Sequence, residues 1–321
     1  MKTAFVFPGQ GSQSVGMLAE LALEFPQIKD TFAEASAVLG YDLWALCQQG
    51  PDSELGRTEC TQPAILTASI AIWRLWLEQG GCKPNVVAGH SLGEYSALVA
   101  AGVLDFATAV TLVQERGRLM QQAVPAGVGA MAAVIGLDDA LVVEACAEAA
   151  EGEVVSAVNF NSPGQVVIAG VAAAVERAGA QCKAKGARRV LPLPVSVPSH
   201  CALMADAAVQ LGAALNQVAL ESPHIPVVQN VEAEIESDPA NIRENLVKQL
   251  YSPVRWTETQ AKLASLGVRQ LVEVGPGKVL SGLAKRAMDG VDALATATPS
   301  EFQSALALTG SDAGLTEGDA K

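Results

Sequence analysis

Short apolar segments alternate with longer amphipathic segments along most of the chain. The short segments have the length and continuous apolar character of buried strands, whereas the longer ones repeat apolar residues at the 3.6-residue period of a helix. Strands that alternate with helices favour a mainly parallel sheet with helices packed on its faces. The clearest predicted strands are 3–7, 86–89, 227–230 and 270–274, and the clearest predicted helices are 62–79 and 106–123.

The middle of the chain has a different order of elements. Residues 129–137 form a predicted strand, and Asp138 caps the predicted helix that follows. Two further strands meet at a turn around Pro163, and a second helix and a fourth strand complete the segment. The order β-α-β-β-α-β is that of a ferredoxin-like unit. We therefore expect an α/β fold, with a hydrolase-like large domain and an inserted ferredoxin-like small domain. The predicted boundaries are 1–124 and 197–308 for the large domain, 125–196 for the small domain and 309–321 for a flexible tail.

Composition narrows the class of protein. Half of the 321 residues are hydrophobic, yet no uninterrupted apolar run reaches the roughly 18 residues typical of a membrane span. The N-terminal apolar run is also too short for a signal peptide. The net charge of −13 argues against nucleic-acid binding, which usually needs a basic surface. Six scattered cysteines and three histidines show no zinc-ligand spacing, so we expect no metal and a cytoplasmic location.

The segment GHSLG at 89–93 matches G-x-S-x-G, the pattern of a nucleophile elbow. A predicted strand precedes it and a predicted helix follows it, which is the context that the pattern requires. Glycines on both sides of Ser91 would let the strand and the helix approach without a Cβ clash. The start of the helix would supply backbone N–H groups and partial positive charge near the hydroxyl. Ser91 is therefore the predicted nucleophile.

A serine nucleophile needs a base, and the chain offers His90, His200 and His224. His90 is adjacent to Ser91, so its side chain should point away from it, and His224 lies in a loop-like segment where a solvated histidine is expected. His200 follows a segment with two prolines that could hold an imidazole in place. Its position fits a residue beside a helix cap equally well. No acidic residue stands out to orient an imidazole, so a backbone carbonyl or an amide side chain would have to do so.

Seven segments of the chain carry a resemblance to a known family. They are FVFPGQGSQ, GHSLGEYSALVAAG, ERGRLMQ, NSPGQVVIAG, VSVPSHCALM, LVKQLYSPVRW and EVGPGKVL, in this order. Together they resemble the malonyl-CoA:acyl carrier protein transacylases of bacterial fatty-acid synthesis, over residues 3–295. The resemblance implies a ping-pong transfer. Ser91 attacks the thioester of malonyl-CoA, and the phosphopantetheine thiol of the carrier protein then attacks the malonyl ester.

The resemblance also implies roles for individual residues. His200 acts as base and then as acid, in a Ser–His dyad without a carboxylate, and the main-chain oxygen of Gln249 holds its imidazole. The backbone N–H groups of Gln10 and Leu92 form an oxyanion hole. Two such donors, aimed at a developing oxyanion, typically lower a barrier by several kcal/mol.

The free carboxylate of a malonyl group needs a partner when it is buried, and a guanidinium can bind it with two hydrogen bonds. The predicted helix at 106–123 carries Arg116 and Arg118. Arg116 falls at the border of the face that the apolar residues of this helix share, whereas Arg118 points away from that face. The resemblance assigns carboxylate binding to Arg116, and we expect Arg118 to be solvated.

The expected partners are malonyl-CoA and an acidic acyl carrier protein, and we expect no cofactor. Because the chain itself is acidic, docking of an acidic partner would depend on local basic clusters. Two such clusters are present, and each could equally be ordinary solvated charge. Free-standing enzymes of this kind suggest a monomer without nucleic-acid or membrane partners. One cluster contains Lys183, Lys185, Arg188 and Arg189, and the other contains Lys285 and Arg286.

Two other functions fit the same residues. A serine esterase or thioesterase would use the same elbow, cleave its ester with water and be indifferent to a carboxylate on the acyl group. A non-catalytic acyltransferase-like domain would bind a carrier protein without forming an adduct on Ser91. The sequence also leaves open whether Asn159 and Asn161 face the cleft or help to form a turn.

Overall fold

The computed structural model describes residues 1–125, 127–195 and 197–310. These residues form two sheets, with six strands in the larger and four in the smaller. The strands are β1 (Lys2–Phe7), β2 (Val86–Gly89), β3 (Gly129–Ile135), β4 (Val155–Ser162), β5 (Gln165–Val171), β6 (Arg189–Pro192), β7 (Val227–Val228), β8 (Ile235–Glu236), β9 (Val268–Glu273) and β10 (Asp292–Ala295).

Helices cover both faces of the large sheet. Phe5 and Phe7 of β1 pack into one hydrophobic core, and the alternate residues Ala4 and Val6 pack into a second core on the opposite face. A parallel sheet buried on both faces has this pattern of continuous apolar strands. The helices are α1 (Ala19–Glu24), α2 (Ile28–Leu39), α3 (Leu43–Gln49), α4 (Asp52–Leu55), α5 (Thr58–Glu78), α6 (Gly93–Ala100), α7 (Phe106–Ala123), α8 (Asp139–Ala149), α9 (Ala172–Ala184), α10 (Ala205–Leu215), α11 (Pro239–Gln249), α12 (Trp256–Ser265), α13 (Val279–Ala287) and α14 (Pro299–Gly310).

The large sheet has the strand order β10-β9-β1-β2-β7-β8, and every neighbouring pair is parallel except β7 with β8. The prediction of a mainly parallel sheet is therefore confirmed. Phe7 lies opposite Gly89, so β1 and β2 end side by side. The loops that follow these two ends carry Gln10 and Ser91. Sites in open α/β sheets lie beyond the carboxyl ends of the strands, and these loops occupy that position.

The small sheet is antiparallel throughout, with the order β4-β5-β3-β6. Helices α8 and α9 follow β3 and β5, so the predicted ferredoxin-like order is confirmed. Asp138 caps α8 as predicted, because its side chain accepts a hydrogen bond from the backbone N–H of Ala140. The predicted boundaries at 124/125 and 196/197 enclose this sheet and stay predictions.

The two faces of the small sheet have different surroundings. Val134 and Ile168 pack on one face in a core shared with α8 and α9. Met131 and Val158 pack on the other face against Cys201, which follows His200 in the chain. Strand β4 is also hydrogen-bonded to the large domain, since the backbone N–H of Val254 donates to the oxygen of Val158 at 2.8 Å. The second face of the small sheet therefore closes over the loop that carries His200.

Several predicted elements differ from the structure at their ends, and two of these differences have a clear physical cause. The strand predicted at 227–230 contains only Val227–Val228, because Gln229 and Asn230 turn away to donate hydrogen bonds to a buried carboxylate, that of Glu94. The helix predicted at 62–79 begins four residues earlier, at Thr58. Its first turn buries polar residues such as Thr58 itself, so the apolar pattern does not reveal that turn.

The C-terminal region is described up to residue 310. Thr309 and Gly310, predicted to begin the tail, are instead the last residues of α14. The hydroxyl of Thr309 is buried and donates to the backbone oxygen of Ala305 at 2.9 Å. The rest of the predicted tail, 311–321, lies outside the described residues. Within the described ranges, no helix combines the length and the apolar character that crossing a membrane requires.

Candidate active site

The loop between β2 and α6 has the geometry of a nucleophile elbow. Ser91 adopts a φ of 52°, which is in the left-handed region and is characteristic of the serine at such a sharp strand-to-helix turn. A Cβ atom on Gly89 would lie 1.9 Å from the backbone oxygen of Gly93, and one on Gly93 would lie 2.0 Å from the backbone oxygen of Phe7. Only glycine allows these approaches, so the two glycines make the turn possible.

The structure brings His200 to Ser91. The His200 Nε2 atom lies 2.7 Å from the Ser91 Oγ atom, and the His200 Nδ1 atom lies 2.7 Å from the main-chain oxygen of Gln249. A carbonyl oxygen can only accept, so Nδ1 carries the proton and donates it to this bond. In the neutral imidazole, Nε2 is then the acceptor for the Ser91 hydroxyl. Of the two interpretations left open for His200, the structure supports the position of a base.

Burial keeps His200 neutral. The side chain is 3% exposed, and burial, assisted by the positive charge of Arg116, lowers its pKa to about 3. A neutral imidazole can take a proton from Ser91, whereas a protonated one cannot. The other two histidines lie elsewhere in the manner predicted. His90 points away from Ser91 to the Oδ1 atom of Asn161 at 2.8 Å, and His224 is exposed.

Arg116 is buried next to Ser91, at 1% exposure. Its Nη1 atom donates to the Oε1 atom of Gln62 at 2.9 Å, and its Nη2 atom donates to the Oε1 atom of Gln249 at 3.0 Å. Nη2 also lies 3.5 Å from the Ser91 Oγ atom. These partners are neutral oxygens, so in the described part of the chain no carboxylate is hydrogen-bonded to Arg116. The guanidinium packs over the ring of Tyr95, with its carbon 5.5 Å from the ring centroid.

Arg118, two residues further along α7, lies on the outside of the helix as predicted. Its side chain is 42% exposed and forms an ion pair with Glu115 at 2.5 Å. Burial lowers the pKa of Arg116, whereas the ion pair with Glu115 raises the pKa of Arg118. The two arginines therefore differ in surroundings although they share one helix.

A first cavity of about 100 Å³ opens above the dyad. Ser91, His200 and Arg116 line it from the large domain, together with Gln10 and Leu92. Within the described part of the chain, the backbone N–H groups of Gln10 and Leu92 donate to no protein acceptor. Both groups thus remain available at the cavity. The small domain closes the other side with Met131, Asn159, Leu193 and Val195.

A second cavity of about 250 Å³ continues from the first between α13 and the small sheet. The two cavities share Gln10, His90, Asn159 and Leu193. Asn159 therefore faces the cleft, while Asn161 lines the second cavity and accepts the bond from His90. The two cavities together form one cleft between the two sheets.

The structure separates the predicted basic residues. Arg189 lies opposite Ile135 in the small sheet, and Ile135 lies opposite Gln165, which lines the second cavity. Directly opposed residues point to the same face of a sheet. Arg286 donates to the Oε1 atom of Gln165 at 3.2 Å, so Arg189 and Arg286 share the rim of the second cavity.

The other basic residues lie away from this rim. Lys285 lines a different groove, on the side of α13 that faces β10 and α14. Lys185 forms ion pairs with Glu144 and Glu148 on α8, which covers the opposite face of the small sheet. Lys183 and Arg188 are exposed.

The sequence reasoning missed several buried polar residues beneath the site. Asn230 accepts a hydrogen bond from the backbone N–H of Ser91 at 2.7 Å and donates to the oxygen of Gly89 at 2.6 Å. Glu94 is fully buried, and Gln62 holds Arg116. The only sequence signal for Glu94 was its place directly after the elbow, and Asn230 and Gln62 gave none. The described residues contain no group of three or more His, Cys, Asp or Glu side chains suited to a metal.

Comparisons with known proteins place the chain in a family. A family model described as an acyl transferase domain matches residues 4–300. The malonyl CoA-acyl carrier protein transacylase of Salmonella typhimurium is 63% identical over 303 residues, which cover 94% of this chain and 98% of the relative. An acyl carrier protein S-malonyltransferase from Vibrio cholerae, solved by crystallography, is 59% identical with a TM-score of 0.92, over 95% of this chain and 99% of the other.

A further solved structure includes a partner. It shows a malonyl-transacylase in complex with a type II PKS acyl-carrier protein, and it matches this chain with a TM-score of 0.95 and 58% identity. The match covers 96% of this chain and 100% of the matched chain. Sequence identity and fold thus agree over nearly the full length of both proteins. The chain belongs to the acyl transferase domain family and, within it, to the malonyl CoA-acyl carrier protein transacylases.

Proposed function

We propose that this chain transfers a malonyl group from malonyl-CoA to the phosphopantetheine thiol of an acyl carrier protein, through a malonyl ester on Ser91. The transfer would feed fatty-acid elongation. One observation carries the proposal: a single hydroxyl, that of Ser91, lies 2.7 Å from a neutral imidazole and 3.5 Å from a buried guanidinium. The first group activates a nucleophile, and the second selects an acyl group that ends in a carboxylate.

The first half-reaction begins with proton transfer from Ser91 to His200. As the proton moves to Nε2, Oγ attacks the thioester carbonyl carbon, and a tetrahedral oxyanion forms. The backbone N–H groups of Gln10 and Leu92 stabilise this oxyanion by hydrogen bonds. When the intermediate collapses, the carbon–sulfur bond breaks, and protonated His200 returns its proton to the sulfur of coenzyme A. The product is the malonyl ester of Ser91.

Gln249 serves the dyad through its main-chain oxygen. The bond from His200 Nδ1 to this oxygen holds the tautomer in which Nε2 faces Ser91. When His200 takes the proton, Nδ1 remains a donor to the same oxygen. The imidazolium is thus stabilised without a carboxylate partner, which fits a Ser–His dyad.

Arg116 binds the malonyl carboxylate. The amide oxygens of Gln62 and Gln249 hold the guanidinium without neutralising it, so its charge is preorganised for an anionic ligand. Binding has a second effect on His200, whose pKa is lowered in part by the charge of Arg116. A bound carboxylate compensates that charge and so raises the pKa of His200. The base becomes stronger when the correct substrate is present.

The second half-reaction repeats these steps with a thiol. His200 takes the proton of the phosphopantetheine thiol, and the sulfur attacks the carbonyl carbon of the Ser91 ester. The carbon–oxygen bond to Ser91 breaks, and His200 returns the proton to Oγ. Water must be kept from the ester for transfer to exceed hydrolysis.

The acyl carrier protein is expected to be acidic and to dock at the rim of the second cavity. Arg189 and Arg286 supply positive charge there, on a chain whose overall charge is −13. All six cysteines are free, which favours the reducing cytoplasm. A monomeric state and the absence of a cofactor and of membrane or nucleic-acid partners remain predictions.

Mass spectrometry after mixing with malonyl-CoA tests this function. The protein should gain the mass of one malonyl group on Ser91, and the Ser91→Ala variant should gain none. Adding a pantetheine thiol should remove the adduct and yield the malonyl thioester. A thioesterase would instead release free malonate with water alone, and a non-catalytic domain would form no adduct. Either result would refute the proposal.

A further inference from the structure

Glu94 is a buried carboxylate that the proposed mechanism does not use. It is the second residue of α6 and has 0% exposure. Its Oε1 atom accepts a hydrogen bond from Gln229 Nε2 at 3.0 Å. Its Oε2 atom accepts from the backbone N–H of Asn230 at 2.9 Å and from Gln249 Nε2 at 3.0 Å. A carboxylate is retained in a core at a cost in stability, so its connections indicate what it does there.

The first connection runs from Glu94 to Arg116 through the side chain of Gln249. An ionised carboxylate only accepts hydrogen bonds, so the amide nitrogen of Gln249 must face Glu94. The same nitrogen donates to the backbone oxygen of Ser91 at 3.0 Å. The amide oxygen must therefore face the other way, where it accepts from Arg116 at 3.0 Å. If the amide were reversed, its nitrogen would meet the guanidinium, and two donors would oppose each other.

The second connection runs from Glu94 to the nucleophile through Asn230. The backbone N–H of Asn230 donates to Glu94, and its side chain accepts from the backbone N–H of Ser91. The same side chain donates to the oxygen of Gly89. One carboxylate thus holds the two amide residues that fix the turn at Ser91 and the orientation of Arg116.

We propose that Glu94 is a positioning residue that makes the enzyme selective for malonyl over neutral acyl groups, because it orients Gln249 and thereby Arg116. This inference rests on the proposed function. Glu94 touches neither the substrate nor the reacting atoms. The turn at Ser91 serves both acyl groups alike, whereas Arg116 acts on the malonyl carboxylate alone, so the loss of Glu94 should weaken malonyl transfer more than acetyl transfer.

The positioning of Gln249 and Arg116 by Glu94 should depend on pH, because Glu94 can be protonated. Burial raises the pKa of Glu94 to about 7, against the opposing effects of its three donors and of Arg116. Arg116 is the charged group that acts on Glu94, and Tyr95, next to it on α6, is a titratable neighbour. Above this pKa the carboxylate accepts from all three donors. Below it, a proton occupies one oxygen and displaces a donor, so the orientation of Gln249 is weakened.

The test is the ratio of the rates at which malonyl-CoA and acetyl-CoA acylate Ser91, measured by mass spectrometry in rapid-quench samples. The Glu94→Gln variant should lower this ratio roughly 10- to 100-fold, the range expected when a binding group is displaced by about 1 Å. Glu273→Gln is the matched control. Glu273 is equally buried and accepts from Leu280 and Ser281 at the start of α13, away from the dyad. Its replacement should leave the ratio unchanged.

A second variant separates positioning from a general loss of structure. In an Arg116→Ala background, Glu94→Gln should not change the ratio further, because the group through which Glu94 acts is gone. An equal fall of both rates in the single variant would overturn the proposal, as would a further change of the ratio in the Arg116→Ala background. If wild-type protein forms no malonyl adduct, the proposed function fails; if it does and the Glu94→Gln ratio is unchanged, only this inference fails.

The wild-type protein provides a measurement that needs no stable variant. Its malonyl-to-acetyl ratio should fall as the pH is lowered from about 8.5 to about 5.5, through the pKa of Glu94, and the Arg116→Ala ratio should stay constant. Rates measured well below the KM of each thioester report the free protein, in which the pKa of His200, about 3, lies below this pH range, so His200 does not titrate in the comparison. A ratio that is constant across this range in wild-type protein overturns the proposal.

Discussion

The floor of the cleft and its rim present charge in opposite ways. Arg116, on the floor, is 1% exposed and held by two amide oxygens. Arg189 and Arg286, on the rim, are exposed to solvent. A fixed charge in a dry site can select a carboxylate by geometry, whereas solvated charges act at longer range and are screened by salt. In the proposed function, the floor therefore selects the acyl group and the rim meets the carrier protein.

Helix α7 shows the same contrast between a buried and an exposed positive charge, within three residues. Arg116 and Arg118 have the same side chain, yet one faces neutral partners inside the protein and the other pairs with Glu115 at the surface. An ion pair already formed leaves little attraction for a substrate, and an exposed pair contributes little to stability. Among the described residues, the arginine of this pair that is hydrogen-bonded to no carboxylate is the one adjacent to Ser91.

The largest effect is expected on the floor, from loss of the base. His200→Ala should slow acylation of Ser91 by malonyl-CoA roughly 10²- to 10⁴-fold, the usual contribution of a positioned base. Rapid-quench mass spectrometry would measure the rate. His224→Ala is the control, because His224 is exposed and does not line the cavity above the dyad. Near-normal acylation by the His200→Ala variant would show that another group accepts the serine proton.

The next largest effect separates the two arginines of α7. Arg116→Ala should raise the activation free energy behind kcat/KM for malonyl-CoA by about 2–5 kcal/mol, the cost of removing one partner of a buried charge pair. This corresponds to roughly 30- to 5,000-fold. Acetyl-CoA should be affected much less, because it has no carboxylate to bind. Steady-state kinetics with both thioesters would test this.

Arg118→Ala is the matched control for that experiment, since it removes the same side chain from the same helix. It should change neither rate appreciably. Comparable losses in the two variants, or an equal loss for malonyl and acetyl groups in Arg116→Ala, would contradict the assignment of carboxylate binding to Arg116.

The smallest effect is expected at the rim. Reversing the charge with Arg189→Glu and Arg286→Glu should slow transfer to an acidic carrier protein roughly two- to tenfold, mainly in kcat/KM, and should leave a free pantetheine acceptor unaffected. The loss should shrink as salt is added. Lys285→Glu serves as the comparison, since Lys285 lines a different groove. If Lys285→Glu has the greater effect, the docking surface lies on the other side of α13.

Much of the fold could be predicted from the sequence because its signals are local. The bounds of α7 were predicted as the structure has them, since its apolar residues recur at the period of a helix. The elbow was predicted because two glycines and a serine at fixed spacing satisfy a local steric requirement. The angular position of Arg116 placed it at the border of the apolar face of the same helix, and the structure buries it. Element ends were predicted less well where polar residues are buried, as at Thr58 and Gln229.

What the sequence by itself determined was therefore the set of elements, the elbow at Ser91 and the helix face of Arg116, each of which depends on residues close together in the chain. The residues alone left the partner of Ser91 open, and the resemblance implied His200, 109 positions away. Only the tertiary structure showed the geometry of that pair and the connection from Glu94 to Gln249, 155 positions apart. Contacts between residues so far apart in the chain produce no periodic pattern of apolar residues from which they could be predicted. A buried carboxylate or amide is recognised by the direction of its hydrogen bonds, and that direction exists only after the chain has folded.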